Sequence, residues 1–211
     1  MILDLHTHSI QSDDAKAKVE NYCQWIRKRE LPLDGFVLTE HRQFDADSDY
    51  RSIEDEFGMA ILKASEVETD YGHVLVFGVN DDLVNAFDFA RIDLPLVEVL
   101  EQSRRCGAVA VPCHPGRPRV GLCAHIEARG GVEGIEWIEV FNGGSRSGED
   151  EAAHELAREH GYAGIGGSDS HIVSHIGRCV TRFEDSVRTI EELVSALQSG
   201  RFEAESWMSK N

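Results

Sequence analysis

Apolar and polar positions change period repeatedly along this chain. Residues 1–6, with Leu3 and Leu5, form a short apolar run that predicts a strand. Val19, Tyr22, Cys23 and Ile26 then follow the i, i+3, i+4, i+7 spacing of a helix buried on one face. Asp34-Gly35 predicts a turn into Phe36-Val37-Leu38, a buried strand ending at His41. Residues 59–67 and 73–79 carry the next two strand patterns. Asp93 stands where it caps a helix that turns Leu96, Val99 and Leu100 inward, runs to Arg105 and stops at Gly107. Residues 109–111, 135–141 and 162–166 read as three further strands. Before the last of these, Ser147 with Glu149 and Asp150 opens a helix that Gly161 closes. Residues 179–181 read as a final short strand. Thr189 and Glu192 make a capping box for a helix with Ile190, Leu193, Val194 and Leu197 on one face and Gly200 as its stop. A βα unit repeated about seven times predicts an α/β fold, a parallel TIM-like barrel rather than an open sheet. No linker, low-complexity tract or internal repeat divides the chain, so one domain is expected over residues 1–211.

The candidate chemistry sits where these runs end. His6 and His8 are two apart at the end of the first strand, and side chains at i and i+2 share a strand face. That brings two imidazoles to one point, as a divalent metal requires. His41, Glu66, His114, Asp169 and His171 each follow a strand-like run, and His73 opens one. Barrel active sites are built at the C-terminal ends of the strands. The polar loops 42–58 and 115–131 lie on the same rim and are the natural substrate-reading segments. Imidazole with carboxylate suits zinc, manganese or iron, and no Ser- or Cys-based triad is evident. Arg117, three residues beyond His114, is placed to clamp a phosphate or to be a solvated ion pair; Arg42 and Arg178 are placed similarly. His175 follows His171 at i+4, where a helical turn makes it a proton donor to a leaving group, against the simpler reading of a surface imidazole.

Composition adds limits. The 211 residues are 41% apolar, enough for a sizeable core, and carry 38 acids against 21 bases for a formal charge of −17. Such a charge disfavours long nucleic acid and anionic membranes as partners. Five cysteines form no Cys-x-x-Cys pair and read as reduced thiols with core roles. No apolar run approaches membrane-spanning length, and a soluble, cytoplasmic protein is expected.

In this order the segments resemble the PHP family, named for polymerase and histidinol phosphatase. His6-Thr7-His8 with Asp13 resembles its first motif and Thr39-Glu40-His41 its second. Glu66 followed by His73, then His114-Pro115, Glu139-Val140-Phe141-Asn142 and Gly167-Ser168-Asp169-Ser170-His171 resemble the rest. The resemblance implies a distorted (β/α)7 barrel, a cluster of two to three divalent ions and hydrolysis of a phosphate ester in a small phosphorylated substrate, with a water activated between ions as nucleophile. It places His6, His8, Glu66 and Asp169 on one ion. Glu66 bridges to a second held by His73 and His114, and Asp13, His41 and His171 hold the third. Asp169, His175 and Arg117 are the candidate catalytic residues. Two departures stand out. Glu40 replaces the family's usual Asp and is expected to orient His41, and Asp14 beside Asp13 leaves two acids for one place, with spacing favouring Asp13. The amidohydrolases also carry His-x-His on a first barrel strand, but bridge their metals with a strand-four Lys; here Lys63 falls on the third strand. A non-catalytic PHP module would be marked by a degraded ligand set, and this chain keeps the full set.

Overall fold

The computed structural model describes residues 1–208. Nine strands carry the site: β1 (Ile2–Thr7), β2 (Gly35–His41), β3 (Ala60–Thr69), β4 (Gly72–Phe77), β5 (Val109–Pro112), β6 (Trp137–Asn142), β7 (Ala163–Gly167), β8 (Cys179–Phe183) and β9 (Phe202–Ser206). Seven of them form one curled sheet in the order β5-β4-β3-β2-β1-β8-β9, and β6 and β7 form a separate parallel pair. Strands β1, β2 and β3 are parallel, whereas β4 runs against both β3 and β5, and β8 runs against both β1 and β9. A parallel bridge between Thr7 and Ser170 ties the end of β1 to the loop after β7.

The expected distorted (β/α)7 barrel is met in part: the architecture is mixed α/β with a curled sheet, and its strands are not all parallel. The reason lies in the connections. Only Asp70 and Tyr71 separate β3 from β4, too short for the crossover that a parallel neighbour needs. Because β4 runs downward, its first residues lie on the same rim as the last residues of β1, β2 and β3. His73 therefore begins its strand yet belongs to the rim.

The helices are α1 (Val19–Arg29), α2 (Arg51–Phe57), α3 (Asp81–Val84), α4 (Leu96–Arg105), α5 (Leu122–Arg129), α6 (Glu149–His160) and α7 (Ile190–Ser199), and α1, α4, α6 and α7 lie close to their expected spans. Two caps differ. The α4 N-terminus is held by Asp70, whose Oδ1 accepts from Leu96 N–H at 2.8 Å, and not by Asp93. Helix α6 is entered at Gly148 instead of Ser147. At Thr189 the capping box forms as its residues require, Thr189 Oγ1 accepting from Glu192 N–H and Glu192 from Thr189 N–H.

One core fills the inside of the curled sheet, where Leu3, Leu5, Val37, Leu62, Leu75, Val111 and Ile165 meet Leu193, Val194 and Leu197 of α7. Helix α7 closes the end away from the histidines, where Trp137 at the start of β6 donates to Leu197 C=O. Leu3 and Leu5 face this core, and period-two counting would send His6 and His8 to the other face. An irregularity in the β1–β2 register between Asp4 and Thr7 supplies the extra residue that turns both imidazoles back inward. A second shift, between Glu139 and Phe141, lets Glu139 and Asn142 of β6 reach each other beside the same site. No helix among the described residues is long and apolar enough to cross a membrane.

Candidate metal centre

His6, His8, Glu66 and Asp169 are all buried at the rim. His6 Nε2 and His8 Nε2 lie 3.1 Å apart, each 3.1 Å from Glu66 Oε2 and 3.5 Å from Asp169 Oδ1. Four donors about 2.0–2.1 Å from a common centre at tetrahedral angles are spaced by about 3.3–3.4 Å. The four side chains therefore fit a divalent ion of the zinc type.

The other Glu66 oxygen, Oε1, faces a second group: His73 Nδ1 at 2.7 Å and His114 Nε2 at 3.2 Å. A third group joins His41 Nε2 and His171 Nε2, 3.3 Å apart. The acid there is Asp14, with Oδ1 3.5 Å from His41 Nε2 and Oδ2 3.3 Å from His171 Nε2. Asp13, favoured from spacing, instead points outward to Arg42 at 3.2 Å. The turn that closes Ser12 N–H on Ser9 C=O swings the next residues round, and periodicity cannot anticipate it. Of the expected ligands, the structure brings together His6, His8, His41, Glu66, His73, His114, Asp169 and His171, and leaves Asp13 outside.

Electrostatics follow from this crowding. Burial alone would lower the His6 pKa, but Glu139, Asp169 and Glu66 hold it well above the ordinary imidazole value. Burial likewise opposes charge on His8, yet hydrogen bonds with Asp169 and Glu66 push it up to about 9. Burial would raise Glu66 and Asp169, and the surrounding imidazoles outweigh it, keeping both well below the usual carboxylate range. His114 shifts downward, chiefly through burial. Asp169 and His114 both adopt left-handed backbone, at φ 52° and 33°, a conformation costly for non-glycine residues and concentrated at functional sites. Gly167 is the residue that lets the Asp169 loop approach β1, since a side chain there would overlap His6 Cβ.

Two carboxylates that the strand patterns did not single out organise the cluster. Glu139 Oε1 lies 2.9 Å from His6 Nδ1, while its Oε2 accepts from His114 N–H and Asn142 Nδ2, both at 2.8 Å. It thereby fixes which His6 nitrogen faces the centre. Asp4 accepts backbone N–H groups from Ser168 and Gly177, both at 2.8 Å, tying β1 to the loop that carries Asp169. Burial raises its pKa to about 6 despite these donors. The signal for each was a lone acid inside an apolar strand, Asp4 between Leu3 and Leu5 and Glu139 between Ile138 and Val140. Glu40 does not contact His41 directly. It accepts from Ser9 N–H and Ser12 Oγ, and Ser12 Oγ in turn accepts from His41 N–H at 3.0 Å.

Beside the cluster opens a cavity of about 610 Å³, lined by Arg117, Arg119, Arg146, Asp169, His171 and His175 among others. One Arg117 Nη donates to Asp169 Oδ2 at 2.7 Å and Asn142 Oδ1 at 3.0 Å. His175 closes a 3-10 turn, Val173–His175, on the cavity wall, and burial with nearby Arg178 lowers its pKa. Lys63 donates to the carbonyls of Ala46 and Ser48, away from the cluster.

A family model described as PHP-associated matches residues 149–202. An uncharacterized protein of Methanocaldococcus jannaschii is 23% identical over 158 residues, covering 70% of this chain and 85% of that protein. PsfC from Pseudomonas syringae superposes with a TM-score of 0.70 at 20% identity, over 98% of this chain and 91% of that one. A Bifidobacterium adolescentis protein assigned as a metal-dependent phosphoesterase gives 0.60 at 16% identity, over 93% and 95%. Endonuclease Q, bound to a 27-mer duplex with an abasic lesion at its active site, gives 0.64 at 18% identity. This chain covers 57% of that endonuclease, which in turn spans 94% of this chain. That protein of similar fold takes a 27-mer duplex as its substrate, and the expectation of a small substrate with long nucleic acid disfavoured is corrected. Net charge averages over the whole surface, whereas the cavity lining, three arginines against Glu149 and Asp169, sets the local field. The PHP-associated segment and this architecture agree with the resemblance of the chain's ordered motifs to the PHP family.

Proposed function

We propose that this protein is a metal-dependent hydrolase that cleaves a phosphodiester of nucleic acid at the His6/His8/Glu66/Asp169 cluster. The observation that carries the reading is the set of donor spacings, 3.1 to 3.5 Å among His6, His8, Glu66 and Asp169, beside an arginine-lined cavity. Divalent ions held there supply Lewis acidity toward a phosphoryl group and lower the pKa of an attacking water. Glu139 keeps His6 oriented so that Nε2 and not Nδ1 meets the centre. The Arg117 guanidinium engages one Nη with Asp169 and Asn142 and has no other hydrogen-bond partner among the described residues, which leaves its remaining N–H groups for phosphoryl oxygens. Arg119 and Arg146 extend the same positive lining toward neighbouring phosphates. His175 is assigned to the leaving oxygen as its proton donor, working in the acid range because its pKa lies below the ordinary imidazole value. The position of Lys63 outside the cluster disfavours amidohydrolase-type chemistry.

The test compares single-stranded, duplex and abasic oligonucleotides, with bis(nitrophenyl) phosphate as a generic diester. Metal-stripped protein should be inactive, and Mn²⁺ or Zn²⁺ should restore cleavage. Equal activity after verified stripping, or no phosphodiester cleavage by fully loaded protein, would overturn the proposal.

A further inference from the structure

Cys113 is buried directly before His114, and the hydrolytic reading makes no use of it. Consecutive side chains in a regular strand diverge. Here β5 has ended at Pro112, and the left-handed backbone of His114 swings the two side chains onto the same carboxylate oxygen. Cys113 Sγ lies 3.5 Å from Glu66 Oε1 and 3.4 Å from His114 Nε2, and that nitrogen is 3.2 Å from Oε1. An ion bound to sulfur at about 2.3 Å and to nitrogen or oxygen at about 2.0–2.1 Å separates S from N or O by about 3.6 Å, and N from O by about 3.3–3.4 Å. The observed triangle matches one face of that tetrahedron to within about 0.2 Å. His6 belongs to the same set of converging donors.

His114 is 2% exposed, and its Nε2 points into this triangle at hydrogen-bonding distance from Glu66 Oε1.

We propose that Cys113 gives a thiolate to the ion position formed by Glu66 and His114 beside His6, biasing that position toward zinc or iron over manganese. The proposal rests on the metal-centre reading above. Thiolate is a soft donor, which zinc and iron accept and manganese does not favour. The S–H proton leaves to solvent as the S–metal bond forms, so the thiol releases one proton for each ion bound there.

Cobalt(II) loading of the full-length protein tests this by absorption, with metal per chain measured in parallel. The wild type should show visible d–d bands and a near-ultraviolet sulfur-to-cobalt charge-transfer band. That band should vanish in Cys113→Ser while the visible bands and the far-ultraviolet circular dichroism remain. It should persist in a Cys106→Ser/Cys123→Ser double variant, which removes the half-buried thiols elsewhere. Zinc affinity should fall at least about tenfold in Cys113→Ser, the smaller loss typical of removing even an outer-sphere partner, with a lesser change for manganese. Visible bands without the sulfur band, or a sulfur band that survives Cys113→Ser, would overturn the thiolate and leave the metal centre standing. Absence of bound cobalt would overturn both.

Discussion

Glu139→Gln is the perturbation that most sharply separates orientation from ligation. The side chain is buried and each of its oxygens is committed, one to His6 Nδ1 and the other to two N–H donors, from His114 and Asn142. Glutamine has the same shape but carries an NH₂ on one side. Turned toward His114 N–H and Asn142 Nδ2, that NH₂ would oppose two donors and lose two hydrogen bonds. It therefore turns toward His6, where Nδ1 must become the acceptor. The ring proton then moves to Nε2, the atom 3.1 Å from both His8 Nε2 and Glu66 Oε2. A lone pair that faced the centre is lost. Loss of such an outer partner costs about 10–100-fold in metal affinity, or about 1.4–2.8 kcal/mol. Chelator-competition titration of the apo protein with Zn²⁺ measures this directly, with circular dichroism confirming the fold. Affinity within twofold of wild type would refute the reasoning, because it would mean that the His6 tautomer is not set by Glu139.

Arg117→Ala should lower kcat/KM on a phosphodiester by about 10–100-fold, the worth of one charge-assisted hydrogen bond, with metal content unchanged by elemental analysis. A fall in bound metal at unaltered kcat/KM per loaded site would contradict it. Metal-free protein should lose stability as pH rises, because a His8 pKa raised to about 9 contributes stability that is complete below about 6.5 and fades as pH climbs through 9. The melting-temperature advantage of wild type over His8→Asn, both metal-free, should accordingly shrink across that interval; an advantage that grows would contradict the assignment. His175→Asn should slow cleavage of an alkyl phosphodiester by about 100-fold or more while barely touching a nitrophenyl ester, whose leaving group needs no proton. Equal loss on both substrates would remove His175 from that role. Lys63→Met should leave metal stoichiometry intact.

The site was readable from sequence because its donors stand where apolar runs stop. His41 is the last residue of β2, His114 and Asp169 stand two residues past the ends of β5 and β7, and His6 with His8 share a face. What the sequence pattern did not carry was strand direction. The segments before and after Asp70 look alike in composition, and only the short connection between β3 and β4 betrays a hairpin. Strand β9 escaped notice because Phe202-Glu203-Ala204-Glu205-Ser206 has one large apolar residue and depends on pairing with β8. Asp14 displaced Asp13 through a tight turn, and such turns have no period. The supporting carboxylates Asp4 and Glu139 were hidden for another reason. Their significance lies in N–H donors far away in the chain, at Ser168, Gly177 and His114, and no local window contains both partners.

Elemental analysis of the reconstituted, buffer-exchanged protein tests the central claim most directly. Wild type should retain two or more divalent ions per chain, and His8→Ala and Asp169→Asn should lose metal while keeping the circular-dichroism spectrum of the folded protein. Fewer than one ion per chain in the wild type after loading with excess zinc and manganese would contradict the account.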